Sequence, residues 1–189
     1  MGGRIIHYHG EEFTRPMKDN IRENLFNILG KAVKGTVCFD LFSGTGALAF
    51  ESISRGATRA IAIERSRKAI PFIEKTANEF GCEDQMKILF GDAFRLGPEL
   101  LGPANDEIPW IVFLCPPYIL WTESLERLNR LIRSFMCHAP PGSILVAETE
   151  KQFEHEKLYT AKWDLREYGG TRLAFVEPEM RCGLTFDCD

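Results

Sequence analysis

No run of apolar residues in this 189-residue chain approaches the roughly 18 that a membrane-spanning helix requires. Nor does a signal-peptide core follow Met1-Gly2-Gly3-Arg4, and Ile6 stands where a myristoylation motif wants Ser or Thr; a cytoplasmic protein that makes no membrane contact is expected. Cysteine is present but unpatterned. None of Cys38, Cys82, Cys115, Cys137, Cys182 and Cys188 stands in a C-x-x-C pair, which argues against both a disulfide framework and a zinc site. His7 and His9 fall on one side of a short extended stretch, but two histidines without further ligands do not hold a metal, and none is expected. An excess of positive charge is missing too. The net charge of −4 excludes a surface that is basic all over, so any nucleic-acid contact has to come from a local groove. Repeats and low-complexity tracts are absent.

What remains is an ordinary globular composition, 44% hydrophobic and 26% charged, in a length that suits one domain with a real core. Arg4 to Tyr8 reads as a short edge strand. Met17 to Leu29 carries a helical stripe of Ile21, Leu25, Ile28 and Leu29, with Pro16 at its start and Gly30 at its end. Five apolar runs then alternate with helical segments. The strands are expected over Thr36–Phe42, Ala60–Glu64, Met86–Phe90, Trp110–Leu114 and Ser143–Ala147. Helices are expected over Ala47–Arg55, over Lys68–Phe80 with Ser66 as its cap, and from Thr122 or Ser124 to Met136; Arg95–Pro109 reads as a short helix plus loop. The charged stretch Glu148–Lys157 reads as the connector to a hairpin, Trp163–Tyr168 and Thr171–Val176, turned by Gly169-Gly170. Met180–Asp189 is a polar tail. Strand–helix alternation of this kind requires right-handed crossovers and a largely parallel sheet.

Ligands of such sheets bind past the carboxyl ends of the strands. Those ends carry Ser43-Gly44-Thr45-Gly46, Glu64, Asp92 and Cys115-Pro116-Pro117-Tyr118. Gly44 to Ala49 fits G-x-G-x-x-G/A, and Glu64 follows Gly44 by 20 residues, the usual spacing for an acid that binds ribose. A dehydrogenase and an S-adenosylmethionine enzyme share that pattern. Asp40, inside an apolar strand just before the glycine turn, favours the second. A buried carboxylate needs donors from the turn or a cationic ligand, and a sulfonium-bearing amino acid supplies a cation where a pyrophosphate cannot. Asp92 at the third strand's end suits an adenine amino group. The two prolines end the fourth strand sharply, aim a carbonyl, and leave Tyr118 as a face on which a flat heterocycle can stack.

In this order and spacing, Asp40-x-Phe42-Ser43-Gly44-Thr45-Gly46, Glu64, Asp92 and Pro116-Pro117-Tyr118 resemble a class I S-adenosylmethionine-dependent methyltransferase. Within that class the chain is similar to the RsmD-like family, bacterial guanine-N2 methyltransferases of small-subunit ribosomal RNA. The similarity adds Arg4-Ile5-Ile6, Thr14-Arg15-Pro16, Arg22 to Leu29, Leu48 to Ala57 and Tyr168 to Leu173, and runs from Arg4 to Val176. It implies a Rossmann-like α/β fold: a mostly parallel seven-stranded sheet, a terminal antiparallel hairpin, and helices on both faces. It also implies an arm and helix over 1–35 packed on the core, a methyltransferase domain over 36–178 and a tail over 179–189, in one structural unit. By the same resemblance Asp40, Phe42, Ser43, Gly44, Thr45, Gly46, Glu64, Arg65, Asp92 and Ala93 hold S-adenosylmethionine, which leaves as S-adenosylhomocysteine. Cys115, Pro116, Pro117 and Tyr118 form the catalytic tetrad, and Arg15, Lys18, Arg22, Tyr118 and Arg172 face the substrate. The implied partner of this expected monomer is ribosomal RNA or an assembling small subunit.

Two departures stand out. The tetrad of that family opens with Asp or Asn, which together with the Pro116 carbonyl orients the target amine; Cys115 offers a thiol, a weak acceptor whose pKa burial raises. The sequence therefore leaves open a second outcome, a donor-binding protein with lost or redirected catalysis. The other departure is His7 to Phe13, short and acidic where relatives carry a longer basic arm, which removes phosphate contacts that dominate RNA affinity.

Overall fold

Each strand–helix–strand crossover returns the chain to the sheet in the same direction, so the first five strands lie parallel. The structure, a computed structural model, describes residues 6, 17–101, 107–159 and 162–178. In chain order its main elements are α1 (Asp19–Leu29), β1 (Val37–Asp40), α2 (Ala47–Ser54), β2 (Arg59–Glu64), α3 (Ile70–Phe80), β3 (Met86–Phe90), α4 (Ala93–Glu99), β4 (Trp110–Leu114), α5 (Leu120–Glu123), α6 (Leu125–His138), β5 (Ile144–Glu150), β6 (Asp164–Tyr168) and β7 (Thr171–Val176). The strands form one seven-stranded sheet in the order β3-β2-β1-β4-β5-β7-β6. β7 runs antiparallel to β5, and β6 antiparallel to β7. The mostly parallel sheet with its terminal hairpin is as the sequence implies.

Alternation along the strands splits the core in two. Cys38, Ala60, Ala62, Ile111, Phe113, Val146 and Leu173 face α1, α2 and α3, where they meet Leu25, Phe26, Phe50 and Ile73. Phe39, Ile61, Ile63, Val112, Leu114 and Leu145 face α4, α5 and α6, where they meet Trp121, Leu128, Ile132 and Phe135. Edge-to-face rings knit each side: Phe26 on Phe113 at 5.8 Å and Phe39 on Phe135 at 5.3 Å. Removing the ring of a buried Phe such as Phe113 costs about 3–5 kcal/mol.

The strand order turns back between β1 and β4, and register brings the carboxyl ends level there. Asp40 pairs with Phe113 and Ala62, and Leu114 with Ala147. This switch point is where a ligand crevice opens.

The element boundaries differ from expectation where tertiary pairing decides them. β5 continues past Ala147 to Glu150 because β7 pairs with it, Glu148 opposite Leu173 and Thr149 opposite Arg172, so Glu148 belongs to the sheet and not to a connector. β1 is shorter than the apolar run from Thr36 to Phe42, since the chain turns after Asp40. Ser66 does not cap the following helix, which begins at Ile70; its N–H goes to Glu64 at 2.6 Å. Of the two starts expected for the helix reaching Met136, Ser124 is the one the structure takes, as the N-cap residue of α6 with φ −135°; the short helix α5 before it was not expected. The edge strand expected over Arg4–Tyr8 and the tail from Met180 lie outside the described residues, apart from Ile6. Among the described residues no helix is long and apolar enough to cross a membrane. Cys38, Cys82, Cys115 and Cys137 form no disulfide.

Candidate functional site

The glycine turn leaves β1 at Asp40 and enters α2 at Ala47. Gly44 and Gly46 take φ of +55° and +76°, and a Cβ on Gly46 would lie 3.0 Å from the Phe50 ring and 3.2 Å from Ile73. Only glycine satisfies both demands at Gly46. The turn is held to β2 rather than free-standing. Ser43 N–H donates to the Ile63 carbonyl at 3.0 Å, Gly46 N–H to the Ser43 carbonyl at 2.7 Å, and Gly44 N–H to Glu64 Oε2 at 2.7 Å. Glu64 thus ties the turn to the second crossover, with Ser66 on its other oxygen. Burial pushes the Glu64 carboxyl up while these N–H groups hold it back.

Asp40 is left without that support. Its side chain is 1% exposed, and although the Ala49 N–H leans toward it, neither oxygen closes a hydrogen bond. Of the two supports expected for Asp40, turn N–H groups or a cationic ligand, the Gly44 N–H goes to Glu64 instead. Burial pushes the Asp40 carboxyl up to about 7, with the Ala49 N–H opposing and the Glu64 charge adding. The neighbouring Ser43 hydroxyl is also buried without a partner. Two orphaned polar groups beside a glycine turn define a place for a cation with further donors and acceptors.

Asp92 sits at the end of the same rim as the N-cap of α4: Oδ1 accepts from Phe94 N–H at 2.9 Å, and Oδ2 pairs with Arg127 at 3.3 Å. Its carboxylate is exposed and keeps acceptor capacity. Phe42 meets Phe94 edge-on at 5.8 Å, and the Arg127 guanidinium lies 4.1 Å from the Phe94 ring centre. Ala93 is buried beneath, and Arg65 is exposed just beyond Glu64. The rim therefore offers a flat aromatic edge next to a carboxylate, which suits a purine.

Beyond the switch point the arrangement changes. Cys115 follows the last residue of β4 and Glu148 follows Ala147, the partner of Leu114, so the two side chains lie on neighbouring strands at one level. The Tyr118 hydroxyl reaches back across Pro116-Pro117 to donate to Glu148 Oε1 at 3.0 Å, and lies 3.1 Å from the Thr171 hydroxyl. Trp121 Nε1 donates to the Glu148 carbonyl at 2.8 Å, which anchors α5 to the strand end. Burial drives the Cys115 thiol far up, helped by the charges of Glu148 and Asp40, so it stays protonated. Burial likewise lifts Tyr118 to about 12 and raises Glu148. Pro116 is buried; Pro117 and Ile119 face outward beside Tyr118. Glu148 and Thr171 were not among the residues singled out from sequence. A reading of β5 as apolar only to Ala147 hides them; the β-branched Thr149 between two glutamates is the signal that the strand goes on.

The structure gathers Asp40, Glu64, Asp92 and the Cys115–Tyr118 turn on one rim, as the strand ends require. It does not bring Arg172 to that rim as a free cation. Its guanidinium is 12% exposed, donates to the Phe153 carbonyl at 2.7 Å and pairs with Glu167 at 2.9 Å. Arg22 pairs with Asp19 at 2.8 Å on the outer side of α1, and Lys18 is exposed at the start of that helix. Arg15 lies outside the described residues. Among those residues no three His, Cys, Asp or Glu side chains cluster to hold a metal.

A family model described as Conserved hypothetical protein 95 matches residues 1–177. Ribosomal RNA small subunit methyltransferase D of Haemophilus influenzae is 28% identical over 153 residues, 79% of this chain and 75% of that protein. The Bacillus subtilis protein YlbH, provisionally named an rRNA methyltransferase, is 32% identical over 153 residues, 80% of each chain. Among solved structures, an RNA methyltransferase of Salinibacter ruber in complex with S-adenosyl-L-homocysteine superposes with a TM-score of 0.63 at 17% identity, covering 93% of this chain and 99% of that one. The shared architecture is that of the class I methyltransferases.

Proposed function

This chain belongs to the Conserved hypothetical protein 95 family, that of the RsmD-like methyltransferases, and from that premise we propose that it methylates the exocyclic N2 amine of a guanine in small-subunit ribosomal RNA, with S-adenosylmethionine as donor. One observation supports the donor assignment: the Asp40 carboxylate is buried next to a glycine turn, and among the described residues neither oxygen has a hydrogen-bond partner or a cation beside it. A dinucleotide, whose pyrophosphate is anionic, leaves that carboxylate uncompensated. The residues fit a sulfonium-bearing amino acid joined to a nucleoside. Asp40 and the Phe42–Gly46 turn would hold the amino-acid part, Glu64 the ribose hydroxyls, and Asp92, Ala93 and Arg65 the adenine.

The donor supplies an electrophilic methyl group when bound; the protein's share is orientation. Glu64 and the turn keep the β1 crevice rigid. Tyr118, clamped at its hydroxyl by Glu148 and Thr171, presents its ring at a fixed angle for a base to stack on. The rigid Pro116 carbonyl accepts one hydrogen of the amine. The chain acts as a cytoplasmic monomer on ribosomal RNA or an assembling small subunit. A poor acceptor at Cys115 favours a second reading, a donor-binding protein without catalysis. Labelled methyl transfer separates the two: incorporation into small-subunit RNA or particles from cells lacking the protein is expected, and tight donor binding with no incorporation into either would establish the second.

A further inference from the structure

The amine that is methylated must shed a hydrogen, and the tetrad's first residue here cannot receive it. Cys115 is a half-buried thiol whose pKa is held well above its ordinary value, so it stays protonated and is a weak acceptor at best. A carboxylate stands beside it. Register places Glu148 on the strand next to Cys115, on the face that also carries Asp40. Tyr118 holds Oε1 at 3.0 Å, while Oε2 accepts no hydrogen bond among the described residues. Glu148 is half-buried and has no counter-cation among the described residues: of these, the groups that face it are the Tyr118 hydroxyl and the Cys115 thiol, with Thr171 and Leu173 from β7. The cation of β7, Arg172, pairs with Thr149 rather than Glu148 and is committed to Glu167 and the Phe153 carbonyl. An acidic side chain kept without a cation, with one oxygen pinned and the other open, is built to accept hydrogen bonds.

We propose that Glu148 receives the target base: its carboxylate accepts the hydrogens of the guanine edge and takes the proton that the amine gives up. This rests on the methyltransferase reading above. The N–CH₃ bond forms as the donor's S–CH₃ bond breaks with its electron pair left on sulfur, and the N–H proton passes to a Glu148 oxygen and on to solvent. A carboxylate only accepts, so it fits an edge with two adjacent donors. Guanine presents N1–H and N2–H side by side; adenine sets an acceptor next to its amine, and hypoxanthine lacks the amine. Glu148 therefore also selects the base, and Tyr118 positions both partners, stacking on one and hydrogen-bonding the other.

Four variants and two readouts test this. The first readout is methyl transfer at saturating donor, which suppresses the Asp40 dependence, followed across pH. The wild-type rate is expected to rise with pH as Glu148 ionises. Glu148→Gln is expected to lose that limb and fall by ~10²–10³, while Glu148→Asp keeps the limb at a reduced rate. Cys115→Ala and Cys115→Asp are each expected to shift the rate by less than Glu148→Gln does and to keep the pH limb. The second readout needs no turnover: guanosine and inosine monophosphates titrated into the protein loaded with S-adenosylhomocysteine. The wild type is expected to prefer the guanine nucleotide and Glu148→Gln to bind both alike, with donor affinity and thermal unfolding unchanged. Glu148→Gln matching the wild type in rate and preference would overturn the assignment, as would Cys115→Asp raising transfer about a hundredfold. A wild type that transfers no methyl to RNA yet discriminates the two nucleotides through Glu148 would instead overturn the methyltransferase reading and leave the base site standing.

Discussion

The two halves of the rim are built differently. On the β1–β3 side, the candidate ligand groups sit on short segments at the strand ends and are braced by backbone: Gly44 and Ser66 donate to Glu64, and Asp92 caps its own helix. On the β4–β5 side, the contacts come from residues far apart in sequence, Tyr118 with Glu148 and Thr171, and are braced by side chains. A local, backbone-held crevice suits a ligand that every member of a fold class binds in the same way. A long-range cluster of side chains can be re-specified one residue at a time, and that is where Cys115 departs from its family's pattern. On the proposed reading, the donor side sets the chemistry and the acceptor side sets the target.

The contrast can be broken at either end, and the largest effect belongs to Tyr118. Tyr118→Ala removes the stacking face and the clamp on Glu148, and transfer is expected to fall by ~10²–10³ with donor affinity unchanged. Tyr118→Phe keeps the ring and is expected to lose only about tenfold. Next comes the turn itself. Gly46→Val combines a φ of +76° with contacts at 3.0 and 3.2 Å and is expected to cost about 2–4 kcal/mol in chemical unfolding. Gly44→Ala meets nothing within 4 Å and is expected to cost about 1 kcal/mol.

Asp40 gives an effect that depends on pH. Its carboxyl is raised from an ordinary 3.8 to about 7, so the folded state binds a proton that the unfolded state has lost between those values. Its contribution to stability is complete below about pH 4 and disappears as pH rises to about 7, a change of about 4 kcal/mol. A cationic donor binds the ionised form, so donor affinity is expected to rise over the same range and binding near neutrality to release a proton, visible by calorimetry in buffers of different ionisation heat. Asp40→Asn is expected to weaken donor binding by about ten- to a hundredfold, abolish the proton release and flatten the stability profile. The smallest effect belongs to Asp92. Asp92→Ala loses a helix cap worth about 1 kcal/mol, and its exposed pair with Arg127 adds little.

The same contrast explains what could be read from sequence. Strand, glycine turn and helix follow one another within a dozen residues, so periodicity and two glycines marked the turn, and marked Asp40 as a buried acid in need of donors from the turn or of a cation. The alternation of strands and helices likewise foretold the sheet and its hairpin. Glu148 stayed hidden because the end of β5 is set by pairing with β7, a contact between residues far apart in the chain. Ser66 looked like a cap because its type fits one; the structure gives its N–H to Glu64, a choice only the folded turn makes. The short helix α5 before Ser124 escaped notice because it is held by a long-range contact, Trp121 donating to the Glu148 carbonyl. Arg172 looked like a substrate cation because its partners, Phe153 and Glu167, reach it only through the fold.

The division of the rim into donor and acceptor sides is tested most directly by measuring donor affinity and methyl transfer together in Asp40→Asn and Tyr118→Ala. The expected result is a crossing: Asp40→Asn binds donor poorly but recovers transfer as donor is raised, whereas Tyr118→Ala binds donor like the wild type and fails to transfer at any concentration. Equal loss of donor binding in both variants, or full transfer by Tyr118→Ala, would contradict it.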